Sequence, residues 1–339
     1  MREMFRIIKE RLSAGEDLVL VTVVASSGST PRGAGARMIV GREGRICGTI
    51  GGGAVEYRSQ QIAAAVLEER SSKEHDFSLT AQDVQKLGMI CGGAVKVYFS
   101  FLPAYDESAL RAADNAEAVF AKGQDMWMLS DLSDEGRIGI YSEETGFLGM
   151  EGCELLRSAM GRQPRRITTE TSDIYIEQIN SAGKVYVFGC GHVAQELVPV
   201  LQHVGFRCVA MDDRPEFASR EVMPSAEEVL LIDFERISDY ITVTEEDYVC
   251  VMTRGHGFDT VVQAQMVKTP ACYIGVIGSR AKKAGVFRRL REEFGCTEAE
   301  LEKITSPIGL SIGAETPAEI AVSIAGQMIE LRARRNKRG

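Results

Sequence analysis

Apolar positions along the chain recur first at helical spacing and then in strand-like runs. Met4, Phe5, Ile8 and Leu12 fall on one face of a helix that Gly15 ends. The Val-rich run "LVLVTVVAS" from Leu18 predicts a buried strand, and "GSTPRGAGARMIV" predicts a loop leading into a second. "RICGTIGGG" then ends a strand in three glycines, and "AVEYRSQQIAAAVLEER" continues as a long helix. "VKVYFSFL" is a further strand, followed by a helix near 107–122. The runs "MWMLSDL", "RIGIYS" and "SDIYIEQI" read as hairpin-like strands at the edge of this first domain, together with a connection.

From Lys184 the pattern changes to alternation. "KVYVFG", "FRCVAMDD", "VLLID", "DYVCVMT" and "CYIGVIG" predict strands, and "HVAQELVPVLQHVG" and "DTVVQAQMV" predict helices between them. "SRAKKAGVFRRLREEF" and "TPAEIAVSIAGQMIELR" predict the closing helices. Parallel strands joined by crossover helices make a doubly wound sheet whose ligands sit at the carboxyl ends of the strands. The expected fold class is therefore α/β, with an N-terminal α/β domain and connecting segment over 1–180 and a Rossmann-like domain over 181–339. At 339 residues the chain is long for one core, which fits two domains.

Charge narrows the partners. A net charge of −9 and a pI near 5.2 argue against a general nucleic-acid or anionic-membrane binder. The basic end "RARRNKRG" reads as a solvated tail. No apolar run reaches the roughly 18 residues of a spanning helix, and the charged start is not a secretory signal, so a cytoplasmic protein is expected. Eight cysteines form no CxxC pair and read first as small buried hydrophobes.

The glycine turns carry the candidate chemistry. Gly189-Cys-Gly191-His-Val-Ala194 matches the GxGxxA dinucleotide fingerprint, between a strand and a helix. Asp212, followed by Asp213, lies where an acidic residue would bind a ribose hydroxyl. The same scaffold also persists without a nucleotide, because fold does not fix ligand. Cys190 and His192 invite a metal reading, but zinc needs three or four ligands at recognisable spacing and none is visible. His192 reads instead as a hydrogen-bond donor to an anion or as a cap of the turn.

Gly51, Gly52 and Gly53, with Glu56 in the following helix, form a second anion-cradling candidate. It lacks the Lys-Ser/Thr of a P-loop, which excludes triphosphate hydrolysis. Gly278-Ser279-Arg280 ends a strand before a basic helix, another place for an anion. Beyond it lies Gly313-Ala-Glu315, where Thr316, Pro317 and Glu319 predict a capping box. Cys91 lies on a glycine turn with Gly92 and Gly93. Free N–H groups there would lower the thiol pKa and suit a ligand or sulfur carrier; the alternative is a small turn residue facing the core.

Taken in order, "SSGSTPRGAGARM", "GTIGGGAVE", "LGMICGGAVKVYF", "VFGCGHVAQEL", "MDDRPEFA", "YIGVIGSRAKKAGVFRRL" and "PIGLSIGAETPAEIAVSI" resemble the xanthine dehydrogenase accessory protein family, the XdhC/CoxI group, from about residue 20 to 330. The resemblance implies an XdhC/CoxI domain and a Rossmann domain, usually in a homodimer. It implies a chaperone, not the dehydrogenase itself. Such a protein binds molybdenum cofactor (molybdopterin) while a cysteine desulfurase installs the sulfido ligand, then delivers it to a molybdenum hydroxylase such as xanthine dehydrogenase. Many relatives carry cysteine directly after the glycine run, where this chain has Ala54. That leaves Cys91 as the thiol candidate, with Cys47 behind it.

Two other readings use the same residues. An NAD(P)-dependent oxidoreductase would draw on Gly189, Gly191 and Asp212, although no Tyr-Lys or His-Asp catalytic pair is visible. A regulatory module would sense a nucleotide without turning it over.

Overall fold

The computed structural model describes residues 1–28, 33–78, 93–133, 135–150, 152–170, 172–180, 183–254, 256–278 and 280–338. The chain divides into two compact units, Met1–Ser181 and Ala182–Arg338.

In the first unit, β1 (Leu18–Gly28), β2 (Arg37–Gly41), β3 (Gly44–Thr49), β4 (Lys73–Ser78) and β5 (Gly93–Leu102) form an antiparallel sheet. The strand order is β3-β2-β1-β5-β4, with β1 in the middle. Leu18 and Leu20 pack with α1 (Arg2–Ser13) and α3 (Glu107–Lys122). Val19, Val21 and Val23 lie in a separate cluster with Val55, Ala63 and Val66 of α2 (Gly53–Glu69). Cover on both faces is why β1 reads as an unbroken apolar run rather than an alternation.

The segment after α3 differs from the sequence expectation of an edge and a connection. It forms a second five-stranded antiparallel sheet from β6 (Met126–Asp131), β7 (Ile138–Ser142), β8 (Gly146–Leu148), β9 (Arg165–Thr168) and β10 (Asp173–Asn180), in the order β8-β7-β6-β10-β9. Its apolar alternation explains this. Met126 and Met128 join the core of α1 and α3, whereas Trp127, Leu129, Ile174 and Ile176 pack with Leu156 and Met160 in another cluster. A buried ion pair of 2.7 Å between Arg37 on β2 and Glu177 on β10 ties the two sheets together.

The second unit is one parallel sheet: β11 (Lys184–Phe188), β12 (Arg207–Asp212), β13 (Glu228–Leu231), β14 (Tyr248–Val251), β15 (Tyr273–Val276) and a two-residue β16 (Ile304–Thr305). The order is β13-β12-β11-β14-β15-β16. That is the 3-2-1-4-5-6 order of a Rossmann fold, with its switch point between β11 and β14. One face is covered by α4 (His192–His203) and α8 (Pro317–Arg338), the other by α5 (His256–Met266) and α6 (Arg280–Glu292). The short α7 (Glu298–Leu301) leads into β16, which the sequence does not signal.

Candidate functional site

The glycine turn after β3 is closed from within by Glu56. This side chain sits in the first turn of α2 and is 7% exposed. Its Oε2 accepts the Ile50 N–H and the Gly52 N–H at 3.0 Å each, as well as the Thr49 hydroxyl. Arg45 donates to Oε1 at 2.8 Å. Burial pushes this carboxyl up, but the Thr49, Gly52 and Ile50 donors and the Arg45 charge outweigh it and hold it below the usual carboxylate range. What the turn still offers a ligand is the N-terminus of α2. No side chain caps that end, and Gly53, Ala54 and Val55 have no intrahelical acceptor. A Cβ at Gly52 or Gly53 would meet no atom, so the space beside them is open.

The fingerprint turn between β11 and α4 is built on the same plan with a different carboxylate. Gly189 takes φ +101°, and a Cβ there would stand 2.5 Å from the Met252 carbonyl oxygen and 2.8 Å from Thr253 Cα. Only glycine lets the end of β11 pass β14 this closely. Asp212, at the end of β12 and 1% exposed, accepts the Cys190 N–H at 2.8 Å. It also accepts the Arg214 N–H at 3.1 Å and the Arg214 guanidinium at 2.9 and 3.0 Å. Burial raises this carboxyl, but Arg214 and the Cys190 N–H hold it below its ordinary value. The neighbouring Asp213 is exposed, and its carboxyl is pushed up by partial burial and by the Asp212 charge.

Asp212 therefore points at its own turn and at Arg214, whose guanidinium also stacks 3.7 Å from the Phe217 ring. Beyond it, α4 begins without a side-chain cap, with Gly191 at its start and His192 exposed. The N–H groups of His192, Val193 and Ala194 have no intrahelical acceptor and stand at the positive end of the helix dipole. A Cβ at Gly191 would meet no atom within 4 Å.

At the end of β14, Thr253 is fixed in a similar way. Its hydroxyl and N–H donate to Asp259 Oδ1 at 2.5 and 3.1 Å. Gly278 follows β15 and is exposed, and Arg280 opens α6. The capping box at Thr316, Pro317 and Glu319 forms: Glu319 accepts the Glu315 and Thr316 N–H groups at 2.9 Å each, and Thr316 Oγ1 accepts the Glu319 N–H at 3.2 Å. Gly313 takes φ +74° beside a cavity of about 400 Å³ that reaches from Ile277 and Gly278 to Ile320 and Ser323. Gly93 opens β5 and pairs with Gly28, the last residue of β1. Cys91, Gly92 and Ser279 lie outside the described residues.

Sequence reasoning gave no role to Arg214 or Asp259, and quoted the loop from Pro307 to Leu310 only within a longer glycine-containing segment. An arginine two residues after Asp212 was the available signal for the first. Among the other cysteines, burial pushes the thiols of Cys190 and Cys208 up to about 12 and that of Cys272 to about 11. Burial and Glu3 raise that of Cys47. None of these four is poised as a thiolate. Among the described residues no group of three or more His, Cys, Asp or Glu could hold a metal ion, and no helix is long and apolar enough to cross a membrane.

The strand order and the helix that starts at its switch point define the second unit as a Rossmann-like fold. Residues 185–328 match the XdhC Rossmann domain, and residues 11–78 match the XdhC and CoxI family. The chain belongs to the XdhC/CoxI family. It is 25% identical over 330 residues to a probable xanthine dehydrogenase subunit of Bacillus subtilis strain 168, covering 94% of each chain. Over 55 residues it is 44% identical to the molybdenum cofactor insertion chaperone PaoD of Escherichia coli K12, which is 16% of this chain and 17% of that one. A crystal structure described as a xanthine dehydrogenase from Bacillus halodurans has the same fold. Its TM-score is 0.76 at 23% identity, over 98% of this chain and 96% of that chain.

Proposed function

We propose that this chain is an accessory factor for a molybdenum hydroxylase of the xanthine dehydrogenase type. It binds molybdenum cofactor as cargo, holds it while a cysteine desulfurase supplies the sulfido ligand, and passes it to the apo-enzyme. The observation that carries this reading is the presence, in one chain, of an XdhC and CoxI module and an XdhC Rossmann domain whose helix α4 starts uncapped. The similarity to PaoD, by its name an insertion chaperone, supports it.

The residues present fit such a cargo. The N–H groups of His192, Val193 and Ala194 would hold its phosphate or pyrophosphate end, because they combine unsatisfied donors with a positive dipole. When bound, the cofactor supplies the molybdenum centre on which a hydroxylase depends. The thiol we assign to its metal end is Cys91, because the sequence sets it directly before the glycine pair Gly92-Gly93 and places Ala54, not a cysteine, after the first glycine run. A cytoplasmic homodimer belongs to the same proposal.

The test is co-expression with an apo-hydroxylase. Cys91→Ser should lower hydroxylase activity by roughly tenfold or more, the usual scale for losing a metal-site partner. Full activity with the variant would remove Cys91 from the mechanism, and equal activity without any of this chain would remove the accessory role.

A nicotinamide oxidoreductase draws on the fingerprint turn and the strand order. Asp212 speaks against it, since its carboxylate is taken by the Cys190 N–H and Arg214 and leaves a ribose without its usual acceptor. Stopped-flow absorbance at the nicotinamide band, with a panel of aldehydes and ketones, would show turnover if this second reading held.

A further inference from the structure

Helix α8 is apolar on two opposite faces. Its inner face, with Ala321, Ile324, Ala325 and Met328, is buried in the core it shares with α4. Its outer face carries Ala318, Val322, Ile329 and Ala333, all exposed and all on one helical stripe. Val322 is 56% and Ile329 39% exposed. A helix at a protein surface keeps polar residues on its outward side, and one that is apolar all round is normally covered. Gly326 lies within the stripe, where a Cβ would stand 3.0 Å from Leu310 Cδ1. The exposed Leu310 side chain therefore extends the apolar surface between Val322 and Ile329.

The stripe is self-complementary. Val322 and Ile329 are seven residues apart, two helical turns, with Gly326 next to their midpoint. A second copy turned about a two-fold axis through that midpoint runs antiparallel. It sets its Ile329 against Val322 and its Val322 against Ile329, with Ala318 against Ala333 at either end. Gly326, without a side chain, falls near the crossing, where packed helix axes approach to roughly 8–10 Å. Charge selects the direction. Glu315 and Glu319 stand at the start of the helix, and Arg334, paired with Glu330 on the same helix, stands near its end; all are exposed. Parallel copies would set like charges side by side, whereas antiparallel copies bring Glu319 of one toward Arg334 of the other and oppose the helix dipoles.

We propose that the outer face of α8 is the surface on which two copies of this chain meet, as an antiparallel helix pair about a two-fold axis beside Gly326. The inference gives an interface to the homodimer proposed above and rests on that part of the reading.

The test is sedimentation of the full chain over a range of concentrations, for the parent, V322E, I329K and the double variant V322E/I329K, with thermal unfolding recorded for each. The parent should be a dimer. Each single variant buries an unpaired charge against an apolar partner and should raise the dimer dissociation constant by about a hundredfold or more. The double variant pairs the two new charges across the two-fold axis and should recover most of that loss. Val322→Ser and Ile329→Ser replace any charged variant that unfolds earlier than the parent, with a weakening of about tenfold expected. A monomeric parent overturns the assignment and leaves the face to another protein. Single variants that stay as dimeric as the parent, or a folded double variant no tighter than the single ones, also overturn it. Hydroxylase co-expression reports separately: a monomeric chain that still activates the hydroxylase loses this interface and keeps its accessory role.

Discussion

The glycine turn after β3 and the one after β11 look alike in sequence, and both are clamped by a buried carboxylate that takes their leading N–H groups. The carboxylates come from different places. Glu56 belongs to the helix that the turn begins, seven residues after Thr49, so the first clamp is local. Asp212 belongs to the next strand, 22 residues after Cys190, so the second clamp joins two elements of the sheet. In the first turn Thr49 and Glu56 take the Gly51 and Gly52 N–H groups, and in the second the Met211 carbonyl and Asp212 take those of Gly189 and Cys190, so what is left for a ligand lies at the helix starts and their N-caps. A run of glycines is thus a poor measure of how much phosphate a turn can hold. The position of the nearest carboxylate is the better guide.

The sharpest break of this comparison is Gly189→Ala. The added methyl at φ +101° would meet the Met252 carbonyl, and no flexible side chain can yield there. A loss of about 3 kcal/mol or more is expected for the second unit, from strain and overlap together. A thermal transition unchanged from the parent would contradict it. Next come the clamps themselves. Asp212→Asn leaves Arg214 without its partner and turns an acceptor into a donor beside the Cys190 N–H, costing about 2–3 kcal/mol; Glu56→Gln should cost about 2. The readout that separates them is hydrogen exchange. Asp212→Asn should speed it at both β11 and β12, whereas Glu56→Gln should confine the change to the turn and the first turn of α2.

The smallest effect is with pH. Both carboxyls are held below their ordinary values, so their contribution is complete above the usual carboxylate range, about pH 4–5, and lost as pH falls through the depressed values. The stability gap between parent and either variant should therefore narrow on acidification. A gap that widened below pH 4 would show that the carboxylates are not the origin of the difference.

The Rossmann unit was legible in the chain because its main strands are short apolar runs closed by turn signals, and β11, β14 and β15 each lead into a helix. The capping box at Thr316 was legible because its partners lie within four residues. In the second sheet of the first unit the runs of β6, β7 and β10 were legible as strands, but not their joining into a separate five-stranded sheet, because they pair across sequence gaps, as in Met126 against Asn180. β16 escaped because two residues carry no period. The glycine turns were visible as turns, but their clamps were not. Strand position suggested Asp212 as a ribose ligand but does not say which partners its carboxylate already holds; one of them, Arg214, lies in the loop beyond.

That this chain carries molybdenum cofactor for another enzyme is our proposal. It is tested most directly by purifying the chain from a host that makes the cofactor and measuring molybdenum together with the fluorescent oxidation product of the pterin. Both should be found, in equal amounts, on the purified chain. Neither metal nor pterin on a folded chain from such a host would contradict it.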